Sequence, residues 1–115
     1  MYLDYDEYRE MGGTEDGAAF EVQRRKAQAY IDQQTFGRIA AAESLPPYVG
    51  YCLKECVYEL IERMTEAQYD GMSVSNDGVS VSGTVRDINA DKLEIVRRCL
   101  TMCEIDGVPV LYTGV

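Results

Sequence analysis

Apolar residues recur at helical spacing through the middle of the chain. After Pro46-Pro47 they repeat every three or four residues, with charged residues between them. Such spacing places the apolar side chains on one face of a helix. We therefore predict a core helix that begins at these prolines, because proline is tolerated in the first turn. Its apolar stripe consists of Val49, Leu53, Cys56, Leu60 and Met64.

Two helices are predicted before this one. Asp4 to Met11 forms a short helix that Gly12-Gly13 ends. Thr14 is a suitable N-cap for a longer helix from about Glu15 to Thr35. The second helix ends at Phe36-Gly37-Arg38. Its apolar stripe is narrow, which is typical of a helix at the edge of a core.

A fourth helix is predicted near the end of the chain. It runs from about Ala90 to Cys103, with Asn89 or Asp87 as its N-cap. Residues 39–45 are read as a connection of small residues between the second and third helices. The predicted fold class is mainly α: one domain, residues 1–115, built as a small bundle of about four helices.

Between the last two helices the apolar period changes from 3.6 to two. Residues 71–83 read GMSVSNDGVSVSG, with valines and serines alternating around an Asp-Gly. This pattern is typical of a hairpin or an extended loop, and a lone two-stranded ribbon is marginal in water. We therefore predict a protruding arm that contacts a partner chain. Its candidate contact residues are Ser73, Val74, Ser75, Asn76, Asp77, Gly78, Val79, Ser80, Val81 and Ser82.

The last residues, 107–115, form an apolar segment with the sequence GVPVLYTGV. Terminal segments usually fray, but these apolar side chains predict an extended tail that is bound to something. The candidate contact residues of the tail are Val108, Pro109, Val110, Leu111 and Tyr112.

Charge and composition narrow the function classes. The chain has 115 residues, a net charge of −9 and no histidine. Free binding to duplex DNA is not expected, since nothing here neutralises phosphates as a unit. The usual general base is missing and no nucleophile–base pair can be assembled, so we expect no enzymatic activity and no cofactor. No apolar run is long enough for a membrane span and no targeting segment is apparent, so cytoplasmic synthesis is the default expectation.

Four cysteines form two pairs, Cys52 with Cys56 and Cys99 with Cys103, each spaced four residues apart. Residues at this spacing in a helix have Cβ atoms about 5–6 Å apart, too far for a disulfide. All four converge if the two helices pack together, which makes a four-thiolate zinc site conceivable. The favoured interpretation is that they are small buried apolar residues, and no metal site is predicted.

Tyrosine is abundant, with nine residues. Tyrosines are enriched at protein interfaces. We expect at least one of two groups to serve an interface: Tyr2, Tyr5 and Tyr8, or Tyr48, Tyr51 and Tyr58.

Several stretches together resemble a known family. They are the early YDEY followed by Gly-Gly, the IDQQTFGRI stretch at 31–39, the NDGVSVS arm and the closing GVPVLYTGV. In this order, on predicted helices, they are similar to the head-tail connector proteins of long-tailed phages and prophages, also called adaptor or head-completion proteins. The resemblance spans nearly the whole chain.

The resemblance implies a non-enzymatic virion protein, made in the bacterial host cytoplasm. Subunits would form a ring beneath the portal of the head, and DNA would pass through its channel. Residues 73–82 would reach a neighbouring subunit, and residues 108–112 would dock on the portal, with strand addition as one mode. The implied partners are other copies, the portal, and the next head-completion or tail protein, without a membrane. Ala27, Ile31 and Thr35 would be helix-packing positions.

Two alternatives remain open at this point. The chain could be a small acidic regulatory or inhibitory protein, including one that mimics the charge of DNA. However, its acids are interleaved with Lys and Arg instead of forming one array. The other alternative is an interaction module stabilised by zinc on Cys52, Cys56, Cys99 and Cys103.

Overall fold

The computed structural model describes residues 2–74, 81–105 and 107–111. It is mainly helical, which confirms the predicted fold class. The helices are α1 (Tyr5–Glu10), α2 (Gly17–Gln34), α3 (Arg38–Ala41), α4 (Pro47–Val74) and α5 (Val81–Leu100). Two short strands follow, β1 (Glu104–Ile105) and β2 (Val108–Pro109). Within the described residues, no helix combines the length and apolar character that a bilayer crossing requires.

The start of the chain folds as its capping residues predict. The Asp4 carboxylate accepts a hydrogen bond from the backbone N–H of Glu7 at 2.8 Å, and the Glu7 carboxylate accepts one from the N–H of Asp4 at 3.2 Å. This reciprocal pair is a capping box. Lys54 of α4 forms an ion pair with Glu7, and the hydrogen bond from Lys54 is the main cause of the lowered pKa of Glu7. The ion pair therefore connects the capping box of α1 to α4.

An aromatic cluster fills the space between α1, α2 and α4. The Tyr8 ring is fully buried, with its centroid 4.9 Å from that of Phe20 and 5.9 Å from that of Tyr58. Its hydroxyl accepts a hydrogen bond from the Glu15 backbone N–H at 3.0 Å. Gly13 is buried directly against the ring, where a Cβ atom would overlap it. The Gly-Gly break therefore makes room for the cluster as well as ending α1.

Helix α2 begins two residues later than its predicted start. Its N-cap is Asp16, which accepts from the Ala19 N–H at 2.8 Å, and not Thr14. The reason is tertiary: the Tyr8 hydroxyl binds the Glu15 N–H, so the chain stays extended up to Asp16. Ala27, Ile31 and Thr35 are fully buried, as the resemblance implied for packing positions.

The predicted connection after α2 contains a further short helix. Phe36 and Gly37 both adopt left-handed backbone conformations, with φ of 56° and 73°. They reverse the chain, and the Ala41 N–H then donates to the Gly37 carbonyl at 2.9 Å to form α3. The prediction that residues 39–45 lack helix is therefore wrong for Ile39–Ala41.

Helices α4 and α5 pack against each other along the core. Glu59 meets Arg98, and Arg63 meets Asp91. From the first pair to the second, the residue number rises along α4 and falls along α5, so the two helices are antiparallel. The buried face of α4 confirms the predicted stripe through Leu60 and extends it with two neighbours. The buried residues are Val49, Leu53, Cys56, Val57, Leu60 and Ile61.

The predicted bounds of the arm and the fourth helix are wrong. Helix α4 continues to Val74 and α5 begins at Val81, so residues 71–74 and 81–83 are helical and not extended. Asn89 and Asp87 lie within α5, several residues after its start at Val81. Extending an existing helix needs no new nucleus, and Ser or Val costs at most about 0.7 kcal/mol per position relative to alanine.

The predicted arm contacts divide accordingly. Ser73, Val74, Val81 and Ser82 belong to helices. The other six, residues 75–80, lie outside the described residues, and their conformation and partner contacts stay predictions.

The C-terminal segment turns back on the body. Helix α5 ends at Leu100, three residues before its predicted end at Cys103. A two-stranded antiparallel hairpin follows, with Glu104 opposite Pro109 and Ile105 opposite Val108. Val110 is fully buried, and its N–H donates to the Cys103 carbonyl at 3.0 Å. The tail was predicted to be bound to something. For Val110, that binding is to the core of the same chain.

Candidate interaction surfaces

Arg38 joins two distant stretches of sequence. Its guanidinium donates hydrogen bonds to the carbonyls of Val110 at 3.1 Å and Pro109 at 3.4 Å. The same group lies over the Phe36 ring, 5.3 Å from its centroid. We call this arrangement the Arg38 clamp. Hydrogen bonds from a charged donor contribute about 1.5–3 kcal/mol each, so the clamp fixes the C-terminal segment against the turn after α2.

The five predicted tail contacts do not share one environment. Val108 and Pro109 are exposed, whereas Val110 is fully buried and Leu111 is partly buried. Tyr112 lies outside the described residues. Val110 was predicted as a tail contact; its side chain lies in the core, and its docking on a partner stays a prediction. Val108 and Pro109 are the described tail positions that a partner can reach.

Hydrogen bonds to side chains occupy both edges of the hairpin. On β1, the Tyr48 hydroxyl accepts from the Glu104 N–H at 3.2 Å and donates to the Glu104 carbonyl at 3.4 Å. On β2, Arg38 occupies the carbonyl of Pro109, which also has no N–H to offer. Strand addition needs unpaired backbone groups. Contact through exposed side chains is therefore the better-supported mode for this tail.

The turn after α2 presents an aromatic side chain to solvent. Phe36 is 59% exposed in a left-handed conformation that is unusual for a bulky residue. It lines a small cavity of about 110 Å³ together with Arg97 of α5 and the tail residue Leu111. We call this surface the Phe36 knob. Exposed apolar groups held by strained backbone are a common mark of functional surfaces.

A larger cavity lies between α1 and α4. It has a volume of about 260 Å³ and an apolar part formed by Met11 and Tyr51. Tyr51 is 67% exposed. The remaining lining residues are charged: Glu7, Glu10, Lys54 and Glu55. We call this surface the Tyr51 cavity. It combines an open aromatic side chain with an excess of carboxylates.

The groove between α4 and α5 is polar and internally paired. Its volume is about 350 Å³. Arg63 lies 2.7 Å from the Asp91 carboxylate, and Arg98 lies 2.5 Å from Glu59. Exposed pairs of this kind contribute about 0–1 kcal/mol each. Because these four charges pair across the two helices, the groove is part of the helix–helix contact.

The two tyrosine groups have different environments. Tyr8 is buried in the aromatic cluster, and Tyr5 packs on Phe20 with ring centroids 5.5 Å apart. The Tyr2 hydroxyl donates to Asp32 at 2.5 Å. The first group therefore lies in or against the core, as does Tyr58 of the second group, whereas Tyr48 and Tyr51 are exposed.

Packing of α4 against α5 brings the cysteines together as the spacing predicts. Cys56 and Cys103 are fully buried, whereas Cys52 and Cys99 are partly buried, and all four are free thiols. A hydrogen bond with Cys99 is the main cause of the raised pKa of Cys56. Burial, followed by a hydrogen bond with Cys52, raises the pKa of Cys103 to about 12. The Cys99 thiol donates to Glu59 at 3.0 Å.

The thiol cluster does not support the zinc alternative. Across the described ranges, no group of three or more Cys, Asp or Glu residues has a geometry that could hold a metal ion. The interpretation as small buried apolar residues is confirmed for Cys56 and Cys103.

The cysteines should differ in their reactivity with iodoacetamide at pH 8. The thiolate is the reactive form, and a raised pKa keeps the thiol protonated. We expect Cys56 and Cys103 to react at least about tenfold more slowly in the folded protein than in urea-unfolded protein, since one pKa unit changes the thiolate population about tenfold. Peptide mass spectrometry over a time course measures each rate in both states. Equal rates for these two cysteines in the folded and the unfolded protein would contradict the described packing.

Comparison of the chain with models of protein families, with curated proteins and with solved structures gave no match. We therefore infer the function from the residues and surfaces of the chain itself. Sequence reasoning missed the Arg38 clamp, because its partners lie 71 and 72 residues away. It also missed the Tyr51 cavity, which α1 and α4 form only after folding. An exposed Phe-Gly pair after a helix end was the available signal for the knob.

Proposed function

We propose that this chain is a non-enzymatic connector subunit that forms a ring between the portal of a phage head and the tail. The observation that carries the proposal is the Arg38 clamp. It joins two of the stretches on which the family resemblance rests, the TFGRI turn and the VPVLY tail, into one unit at the surface. A shared structural role for two distant stretches of the resemblance supports the proposal.

Ring assembly has physical requirements that this chain meets. A closed ring needs two different surfaces on each subunit, so that one copy binds the next head to tail. The Phe36 knob and the Tyr51 cavity are two such surfaces, and the hairpin adds exposed Val108 for a third partner such as the portal. The net charge of −9 suits a channel wall that must release DNA, since like charges repel.

The remaining parts of the proposal follow the family pattern. The segment between α4 and α5 would reach a neighbouring copy, and the tail would face the portal. The next head-completion or tail protein would bind the opposite face of the ring. The protein would be made in the bacterial cytoplasm and reside in the virion, with DNA as a passing and not a bound partner.

The DNA-mimic alternative receives less support from the surface charges. Such a mimic needs an unbroken array of carboxylates on one face. Four of the described carboxylates are paired with cations instead: Glu7 with Lys54, Glu21 with Arg24, Glu59 with Arg98, and Asp91 with Arg63.

Peptide mass spectrometry of gradient-purified phage particles tests the proposal against the regulatory alternative. We expect this chain in mature particles at a copy number far below that of the major capsid protein. A lysate of the same infected culture serves as the control for detection. Presence in the lysate together with absence from particles would contradict the connector function.

A further inference from the structure

We propose that the Phe36 knob of one copy binds in the Tyr51 cavity of the next copy. The inference deepens the proposed function, because it names the contact by which successive copies would associate. Three features support it: the apolar groups that both surfaces expose, their charges, and their separate positions on the chain.

The knob offers an apolar side chain within a cationic rim. The Phe36 ring is exposed, with the Arg38 guanidinium over its face. Arg97 is exposed and lines the same cavity. Among the described residues that line the knob's cavity, none is acidic. The left-handed backbone at Phe36 costs of order 1–2 kcal/mol, which a contact made by the ring would offset.

The cavity offers the complementary properties. Met11 and Tyr51 supply an apolar and aromatic floor for an incoming ring. Glu7, Glu10 and Glu55 line it, and Lys54 is already paired with Glu7. Two carboxylates thus remain in excess at the rim. Opposite charges around an apolar centre steer association and fix its orientation.

The two surfaces lie on different parts of the molecule. The knob is built from the end of α2, the turn after it, α5 and the tail, whereas the cavity is built from α1 and α4. Among the described residues, none lines both. A contact between them is therefore heterologous, and its repetition generates a ring or a filament instead of a two-fold dimer. The opposite charges of the two surfaces, each around an apolar group, favour a second copy as the occupant.

Two surface variants test this contact through complementation. Phe36→Asp places a carboxylate at the knob, where Asp tolerates the left-handed backbone. The double variant Glu10→Lys/Glu55→Lys reverses the charge of the cavity. Val22→Asp is the matched control, because Val22 is an exposed apolar residue of α2, 53% exposed, that lines neither surface. Circular dichroism verifies that each variant is folded.

Sedimentation velocity over about 10 μM to 1 mM measures association in the range of weak contacts. We expect the wild type and Val22→Asp to self-associate with rising concentration, and the two test variants to stay monomeric, with at least a tenfold rise in apparent Kd. An equimolar mixture of the two test variants should form heterodimers and nothing larger, because one intact knob and one intact cavity remain.

Three results would overturn the contact: a wild type that stays monomeric throughout, a Phe36→Asp variant that associates normally, or a mixture that does not pair. These failures are distinct from failure of the proposed function. The chain could still be found in phage particles, in which case it would be a connector that uses another contact.

Discussion

Replacing Gly13 with alanine should destabilise the protein by about 3 kcal/mol, near the upper end of the usual cost of overpacking a core. A Cβ at this position would overlap the Tyr8 ring. The ring cannot move aside easily, because it stacks on Phe20 and its hydroxyl is held by the Glu15 N–H. Thermal unfolding followed by circular dichroism should show a fall in Tm of order 10–20 °C.

Gly50→Ala is the matched control for this prediction. Gly50 lies in the first turns of α4, and nothing lies within 4 Å of where its Cβ would be. The same substitution there should stabilise the protein by about 0.5–1 kcal/mol, because alanine is favoured over glycine in a helix. A Gly13→Ala variant as stable as the wild type would show that the Tyr8 ring does not pack over Gly13.

Replacing Val110 with aspartate should cost at least about 3 kcal/mol, because a carboxyl group would enter the core without a partner. Val110 is fully buried beside the Arg38 clamp. Val108→Asp is the control: it lies two residues earlier in the same segment and is 41% exposed. Its effect on stability should stay within about 0.5 kcal/mol, as is usual for surface substitutions.

Urea unfolding measures the stability of Val110→Asp and of Val108→Asp. The difference between their midpoint urea concentrations gives the difference in stability. Equal stability of the two variants would contradict the position of Val110 in the core. Under the proposed function, Val108→Asp should also weaken binding to the portal while the subunit stays folded.

Local and periodic features were the ones that the sequence predicted well. The helical spacing of Val49, Leu53 and Leu60 identified the core face of α4, because burial alone accounts for that pattern. Asp4 identified the start of α1, since its cap involves residues only three positions apart. The convergence of the cysteines followed from the packing of two predicted helices.

Features that depend on tertiary contacts could not be predicted in this way. Thr14 was the predicted N-cap of α2, but the cap is Asp16, because the Tyr8 hydroxyl binds the Glu15 N–H. The alternation of valine and serine predicted an extended chain. However, residues 71–74 belong to α4 and residues 81–83 belong to α5. Arg38 donates hydrogen bonds to the carbonyls of residues more than 70 positions away in the sequence, and no local pattern predicts such a contact.

The central claim, that this chain is a ring-forming connector subunit, is tested most directly by electron microscopy of the purified chain mixed with the portal protein of the same phage. We expect class averages in which a ring of this chain, with a central channel, is stacked on one face of the portal. Portal particles without added density, at chain concentrations well above those of the portal, would contradict it.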